Sequence, residues 1–203
     1  MLPGINTWAN WDLTGQMVAW TAGTQPNYGI ALVTSGSGNN KFVSSDEPTS
    51  TTLRPKLTVT FLPPCGWVPP VTAQTFTAAK DAALWETNNS RNYGASTSVI
   101  LTADPDDSFI VAQFDLSGVA PGTPIQSAKL RFYTTSMTQR SGASMLLSAY
   151  AITRTWVEGT KTGSGTADGA TWNRYNATNN WTTAGGDYRT PAAGRRQAGL
   201  RAE

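Results

Sequence analysis

The sequence predicts an all-β protein, an antiparallel β-sandwich or jelly roll. Short runs of alternating apolar and polar residues recur along the 203 residues, separated by Gly, Pro, Asn and Asp. Only 14% of the residues are charged, against about 25% in a typical soluble domain, while Thr, Ser, Asn and Gly are abundant. The 39% of apolar residues are enough to form a core. This profile is typical of an extracellular β-module.

The strands follow from the alternation. The clearest strand is Lys56 to Phe61, and Ala128 to Tyr133 has the same period, so Leu57 and Leu130 are expected to face the core. Six further runs of this kind predict strands: Asn6 to Asp12, Gly29 to Thr34, Lys41 to Ser45, Ser98 to Thr102, Ser108 to Asp115 and Met145 to Ile152. One short helix is expected at Leu13 to Ala22, because apolar residues recur at helical spacing and a glycine follows.

The residue types exclude most catalytic constellations and several partners. The chain has no histidine and a single cysteine, Cys65, which excludes histidine-based triads, His-ligated zinc and internal disulfides. Residues 189–203 contain four basic groups and one acid, which leaves 11 basic and 12 acidic residues elsewhere, so we expect no nucleic-acid partner. No stretch approaches the ~20 apolar residues of a membrane helix. No signal peptide is visible, so we expect a piece of a longer secreted chain with neighbouring domains.

A proline-rich stretch divides the chain. Four prolines at 63–70 cannot continue a central strand or a helix, so residues 63–74 are predicted to be a linker. A repeated tripeptide supports the boundary. Asn27-Tyr28-Gly29 precedes an apolar strand before the linker, and Asn92-Tyr93-Gly94 precedes another after it. Asn92 and Gly94 are expected to shape a turn, with Gly94 at positive φ.

Two ordered series of motifs flank this linker. The first series is Trp11-Asp12-Leu13-Thr14, Asn27-Tyr28-Gly29, Phe42-Val43-Ser44-Ser45 and Arg54 to Val59. The second is Asp81, Asn92-Tyr93-Gly94, Phe114-Asp115-Leu116-Ser117, Ala128 to Leu130, Trp156-Val157-Glu158 and Thr171-Trp172-Asn173. The first resembles the closing half of a DNRLRE domain, the secreted jelly-roll family also classed as carbohydrate-binding module family 96 and related to disaggregatase repeats. The second resembles the opening half of the next such domain.

The resemblance implies two tandem half-domains, at 1–62 and 75–188, with an unmatched basic tail at 189–203 that is expected to be disordered. Half a sandwich leaves strand edges unpaired and one apolar face uncovered. Either the two halves close on each other as one circularly permuted jelly roll, which tethering would favour, or each is an incomplete domain that awaits a partner.

An aromatic, Asn-rich and Gly-rich loop at Glu158 to Tyr188 is the candidate carbohydrate site, because rings stack on sugar faces while amides and charges bind hydroxyls. The candidate residues, including Tyr93 of the Asn-Tyr-Gly turn and Arg91 directly before it, are Trp181, Tyr175, Trp172, Asn173, Arg174, Asp187, Arg91 and Tyr93. In the alternative interpretation, Trp156 and Trp172 close the end of the sandwich. Trp8, Trp11 and Trp20 are expected in the core.

An acidic turn is the candidate metal site. Asp104, Asp106 and Asp107 could bind Ca²⁺ through carboxylate oxygens, although Asp and Pro also favour plain hairpin turns and no cofactor is required. A glycosidase needs two carboxylates at ~5–9.5 Å, and no pair of acids stands out.

Three functions therefore remain open. The first is a non-catalytic carbohydrate-binding module of a secreted or cell-surface polysaccharide-active protein, for which the resemblance implies alginate or another uronic-acid polymer. The second is a structural or adhesive repeat without a ligand, and the third is a fragment of a polysaccharide-degrading enzyme. Retention by a polysaccharide separates the first from the second, and release of sugar ends identifies the third.

Overall fold

A computed structural model describes residues 4–62, 72–138 and 145–198, with the backbone alone for 195–198. The described residues form ten strands and one helix, α1 at Thr14–Thr21. The strands are β1 Thr7–Asp12, β2 Ile30–Gly36, β3 Gly38–Val43, β4 Lys56–Phe61, β5 Ala73–Trp85, β6 Ser98–Ala103, β7 Ser108–Phe114, β8 Ile125–Thr138, β9 Met145–Ala151 and β10 Gly194–Ala198. A 3₁₀ turn at Thr51–Leu53 precedes β4.

All strand pairs are antiparallel, and the sheet closes on itself. The order of neighbours is β10-β9-β2-β7-β5-β4-β8-β3-β6, and β6 also pairs with β7 through Thr102 and Ser108. Strands β7, β5, β4, β8, β3 and β6 thus form a ring that resembles a β-barrel. The prediction of an all-β antiparallel fold is confirmed.

Strand β8 pairs with three other described strands, β1, β4 and β3. Leu130 lies opposite Trp11 of β1 and opposite Leu57 of β4, so β8 runs between these two strands. Thr134 pairs with Thr7 as well as with a residue of β3, which places β3 beyond β4 along the same edge. Four strands, β1, β8, β4 and β5, therefore lie side by side.

The strands before and after the proline-rich stretch are interleaved. No strand in the described part of residues 4–62 pairs with another from that segment: β1 pairs with β8, β2 with β7 and β9, β3 with β6 and β8, and β4 with β5 and β8. Residues 4–62 thus contribute β3 and β4 to the ring, where β8 lies between them, and later strands complete it. Residues 63–71, including Cys65, lie outside the described part.

The main core lies inside the ring. Trp11, Phe42 and Phe132 meet edge to face with ring centroids 5.7–6.4 Å apart, an arrangement that aromatic pairs favour. Leu57 and Leu130 are fully buried beside them, which confirms the inward register predicted from the alternation. Trp8 differs from the prediction, because its position on β1 places it on the outer face, where it is partly exposed.

Two described strands were not expected. Strand β5 begins at Ala73, inside the predicted linker, and its Ala-rich sequence lacks a clear period of two. In the tail, β10 pairs with β9 from Gly194 opposite Ala149 to Ala198 opposite Met145. The expectation of a disordered tail therefore fails for residues 194–198, because β9 offers an open edge that this segment extends.

Candidate functional site

A long loop, residues 152–188, covers the outer face of β2, β7 and β5. Apolar side chains of these strands pack against rings from the loop in a second core cluster, which contains Ala31, Ala82, Leu84, Phe109, Val111, Ile152, Trp156, Ala170, Trp172 and Trp181. Trp156 donates a hydrogen bond from Nε1 to the carbonyl of Tyr28 at 2.9 Å. Strand β7 is consequently buried on both faces, which explains its nearly continuous apolar sequence.

The loop tryptophans hold the loop in place. Trp181 is 5% exposed and donates from Nε1 to the carbonyl of Thr171 at 2.9 Å, while Trp172 lies 4.9 Å from the ring of Phe109. Neither ring presents a face to solvent, so the expectation that they stack on a sugar is corrected. The burial of Trp156 and Trp172 agrees with the alternative interpretation, in which these rings close the end of the sandwich.

A polar groove of about 430 Å³ lies on the solvent side of this loop. Its lining residues are Thr153, Arg154, Thr182, Thr183, Gly186, Asp187 and Tyr188. Asp187 holds the groove together, because its carboxylate is 3.0 Å from Nε of Arg154 and accepts hydrogen bonds from the backbone N–H groups of Thr182 and Thr183. The three threonine residues are exposed. We call this surface the Arg154 groove.

Two partly buried tyrosines border the Arg154 groove. Tyr188, in its lining, packs against Tyr150 with ring centroids 4.8 Å apart, and burial raises the pKa of its phenol. The guanidinium carbon of Arg154 lies 4.7 Å from the ring centroid of Tyr175, and this cation–π contact adds to the Asp187 pair in fixing the guanidinium. The groove thus combines aromatic edges, hydroxyl groups and an oriented cation.

The structure separates the other predicted site residues from this groove. Arg174 donates from Nη1 to the carbonyl of Ala177, and the backbone N–H of Asn173 donates to the carbonyl of Asn89. Tyr93 packs against Trp85 with centroids 5.6 Å apart. Of the eight candidates, Asp187 alone lines the groove, and Tyr175 touches Arg154 beside it; Arg91 is exposed elsewhere.

The Asn-Tyr-Gly turn has the structural role expected for it. The Asn92 side chain accepts from the N–H of Gly94 and donates to the carbonyls of Glu158 and Ala170 at 2.6 and 2.8 Å. Gly94 is required for a different reason from the one predicted. It does not have positive φ; instead, a Cβ there would lie 2.1 Å from the carbonyl oxygen of Glu158.

A carboxylate cluster, in which Asp81 is buried, Glu158 is partly buried and Asp46 is exposed, lies at the base of the loop. Among the described residues, the group whose ligand atoms approach within 4.8 Å of one another is Asp46, Asp81 and Glu158. The predicted metal turn, Asp104, Asp106 and Asp107, forms no such group there. Asp104 and Asp106 are exposed, which agrees with a plain hairpin turn.

The cluster joins three segments of the fold. The Asp81 carboxylate accepts from the Ser44 hydroxyl at 2.6 Å and from the Ser45 N–H at 2.7 Å, and the Asp81 N–H donates to Oε1 of Glu158 at 2.7 Å. Burial raises the pKa of Asp81 and of Glu158 to about 7. Lys80 donates to the carbonyl of Trp156 at 2.6 Å. Chemically, these oxygens suit bound protons near neutral pH or a hard cation such as Ca²⁺.

A larger cleft of about 510 Å³ opens beside α1 and the end of β7. Apolar side chains dominate its lining, among them Trp20, Phe114, Leu116 and Val119. The exposed Asp115 accepts the N–H of Ser117 within the turn that follows β7. This cleft offers fewer polar partners for hydroxyl groups than the Arg154 groove does.

Comparison with known proteins identifies the family. A sequence model of carbohydrate-binding module family 96 matches residues 72–184, more than half of the chain. The chain belongs to carbohydrate-binding module family 96. No curated protein and no solved structure gave a significant match. No helix among the described residues is long and apolar enough to span a membrane.

The family 96 match ends inside the candidate site. It includes Thr153, Arg154, Thr182 and Thr183, and it ends shortly before Tyr188. It also leaves out β1 to β4 and β10, although these strands pair with strands that it covers. The family assignment supports carbohydrate binding and a non-catalytic module.

The groove residues that sequence reasoning missed are Arg154, Tyr188 and the three threonines. Arg154 and Tyr188 are far apart in the chain, and an isolated bridge between Ile152 and Tyr188 brings them together. A basic residue three positions after the end of the apolar strand β9 was the available signal.

Proposed function

We propose that the chain is the non-catalytic carbohydrate-binding module of a secreted or cell-surface polysaccharide-active protein, and that the Arg154 groove binds a sugar. The groove itself carries this proposal: a 430 Å³ polar groove with exposed threonines, an aromatic edge and a fixed guanidinium lies in a loop that is largely within the family 96 match.

The contacts support recognition of sugar hydroxyls. Arg154 has five N–H donors, of which Nε faces Asp187 and Nη1 lies 3.5 Å from the carbonyl of Asn180, so further donors remain for a ligand. The hydroxyls of Thr182 and Thr183 add donors and acceptors. Because Asp187 also accepts two backbone N–H groups, the guanidinium is oriented before the ligand arrives, which lowers the cost of binding.

We further propose that alginate or another uronic-acid polymer is the natural ligand. Arg154 and the exposed Arg189, which follows Tyr188, would lie beside carboxylate groups of a bound polymer. A guanidinium binds a carboxylate through two parallel hydrogen bonds, so it suits such a ligand.

The proposed domain organisation is a circularly permuted jelly roll. In this reading residues 1–62 are the closing half of one DNRLRE-like domain and residues 75–188 are the opening half of the next. The interleaved pairing supports it, since every described strand before the linker pairs with strands that follow it. Termini that lie close together in a domain allow such a permutation.

Affinity gel electrophoresis in alginate, in other acidic polysaccharides and in neutral polysaccharides tests the proposal. Arg154→Gln should weaken binding about tenfold, the value of a hydrogen bond to a charged group, with no release of sugar ends by any form of the protein. Lys161→Gln is the matched control, because Lys161 is a partly exposed loop cation that does not line the groove. If the folded parent protein is retained by no polysaccharide, the function is that of a structural repeat.

A further inference from the structure

A second surface, which shares no residue with the Arg154 groove, has the composition of a binding platform. We call it the outer sheet face, and it is formed by outward side chains of the neighbouring strands β1, β8, β4 and β5. The residues that carry the argument are Trp8, Tyr133, Arg131, Lys129, Lys56 and Thr58. Each is at least partly exposed, whereas its chain neighbours in the strand, such as Leu57 and Leu130, are buried.

The strand register aligns these side chains in rows. Arg131 lies opposite Asn10 of β1 and opposite Lys56 of β4, and Lys56 in turn lies opposite Thr77 of β5. In the next row, Lys129 lies opposite Thr58. Neighbouring strands are about 4.8 Å apart, and outward residues of one strand are about 6.7 Å apart. The three cations therefore form one compact group on a continuous surface.

Few nearby carboxylates are placed to pair with these cations. Asp12, opposite Lys129, is the acidic residue that shares these rows, and it accepts hydrogen bonds from Thr14 N and Oγ1 at 2.8 and 2.6 Å. Among the described residues, neither Lys56 nor Arg131 forms an ion pair; the Nε atom of Arg131 is itself buried. This face is positive although residues 1–188 have a net charge of −1.

Two aromatic rings lie beside the cations. Trp8 and Tyr133 are directly paired across β1 and β8, with ring centroids 5.3 Å apart and planes at 74°. Nζ of Lys56 is 5.1 Å from the centroid of the Trp8 ring. A partly exposed ring held by a neighbouring ring offers contact area at low entropic cost.

We propose that the outer sheet face is a second binding site, which takes an extended anionic polysaccharide carrying carboxylate or sulfate groups. Charge complementarity selects this partner, because three clustered cations face one engaged carboxylate, and hydroxyl side chains such as Thr58 and Thr77 continue the rows. The inference rests on the proposed carbohydrate function but concerns a surface that shares no residue with the Arg154 groove.

The test compares alginate with its propylene glycol ester, in which the carboxylates are blocked and the backbone is kept. Binding of the full chain is measured by affinity electrophoresis and by titration calorimetry at low and moderate salt. The variants are Lys56→Gln, Arg131→Gln and Trp8→Ala, with Lys161→Gln as the control that removes one cation elsewhere. Thermal unfolding of each variant shows that the fold is kept.

Each cation variant should weaken alginate binding up to about fivefold at low salt, the range of an exposed charge pair, and less at higher salt because exposed charges are screened. Binding of the ester should not change with these variants. Trp8→Ala should weaken binding of both ligands. The proposal is overturned if the face variants bind alginate as tightly as Lys161→Gln does. It is also overturned if the face variants weaken binding of single-stranded DNA as much as they weaken binding of alginate, because that result would indicate a general polyanion surface. Loss of binding in Arg154→Gln with unchanged face variants would leave the proposed function standing and this inference refuted.

Discussion

Replacing Trp181 by alanine should damage the fold itself. The side chain is 95% buried between the loop and the sheet, and its Nε1 donates to the carbonyl of Thr171 at 2.9 Å. Removing a buried tryptophan costs about 3–5 kcal/mol in lost burial and cavity formation. The unpaired carbonyl adds about 1–3 kcal/mol where water cannot reach it. Together, these two contributions predict that the free energy of unfolding falls by at least about 4 kcal/mol. This is a large share of the about 5–15 kcal/mol that a domain typically has in total.

Urea unfolding, followed by tryptophan fluorescence and by circular dichroism, measures this loss. Trp181→Phe separates the two contributions, because it keeps most of the ring volume and removes the donor, so a loss of about 1–3 kcal/mol is expected. Trp8→Ala on the outer sheet face should cost about 1 kcal/mol, chiefly its contact with Tyr133. A Trp181→Ala protein within 1 kcal/mol of the parent would show that the loop is not held by this ring.

Three further outcomes are expected. Leu130→Ala and Leu57→Ala should each cost about 2–5 kcal/mol in urea unfolding, because both side chains are fully buried; a loss under about 0.5 kcal/mol contradicts the register. Stability should fall as pH rises from about 4 to 7 and then level off, because folding raises the pKa of Asp81 and Glu158 to about 7 and the folded state therefore binds protons that the unfolded state has lost; a flat unfolding curve over this range opposes it. Deleting residues 189–203 should lower the melting temperature by several degrees, since β9 loses one of its two described neighbouring strands and keeps β2 alone; an unchanged melting temperature means that β10 contributes nothing.

The sequence predicts strands well where one face is buried. Lys56 to Phe61 agrees with β4 at both ends, because polar residues alternate with core residues along it. Strand β5 could not be predicted in this way. Its residues from Asp81 to Leu84 are all buried, since the 152–188 loop covers the face that would otherwise meet water. Alternation is lost wherever a second layer covers a strand.

The sequence singled out the loop at 158–188, but it did not show that Trp181 is buried there. Trp181 is surrounded by Asn, Thr and Gly in the sequence, which favoured an exposed ring, yet the loop folds back so that Trp181 meets Thr171. Contacts made by irregular chain leave no periodic signal. Arg154 was missed for the same reason, since its partner Asp187 is distant in the chain.

The interleaving of strands also sets an order of events when the chain is made. Among the described strands, β2 pairs with β7 and β9, so Ile30 to Gly36 emerges from the ribosome long before its partner Met145 to Ala151 exists. At about 5–20 residues per second, this wait lasts several seconds to about twenty. The four strands of residues 4–62 therefore have no pairing partners until later segments are made. The abundance of Thr, Ser, Asn and Gly in this segment suits it to that interval, and the dominance of distant pairings predicts slow folding once synthesis ends.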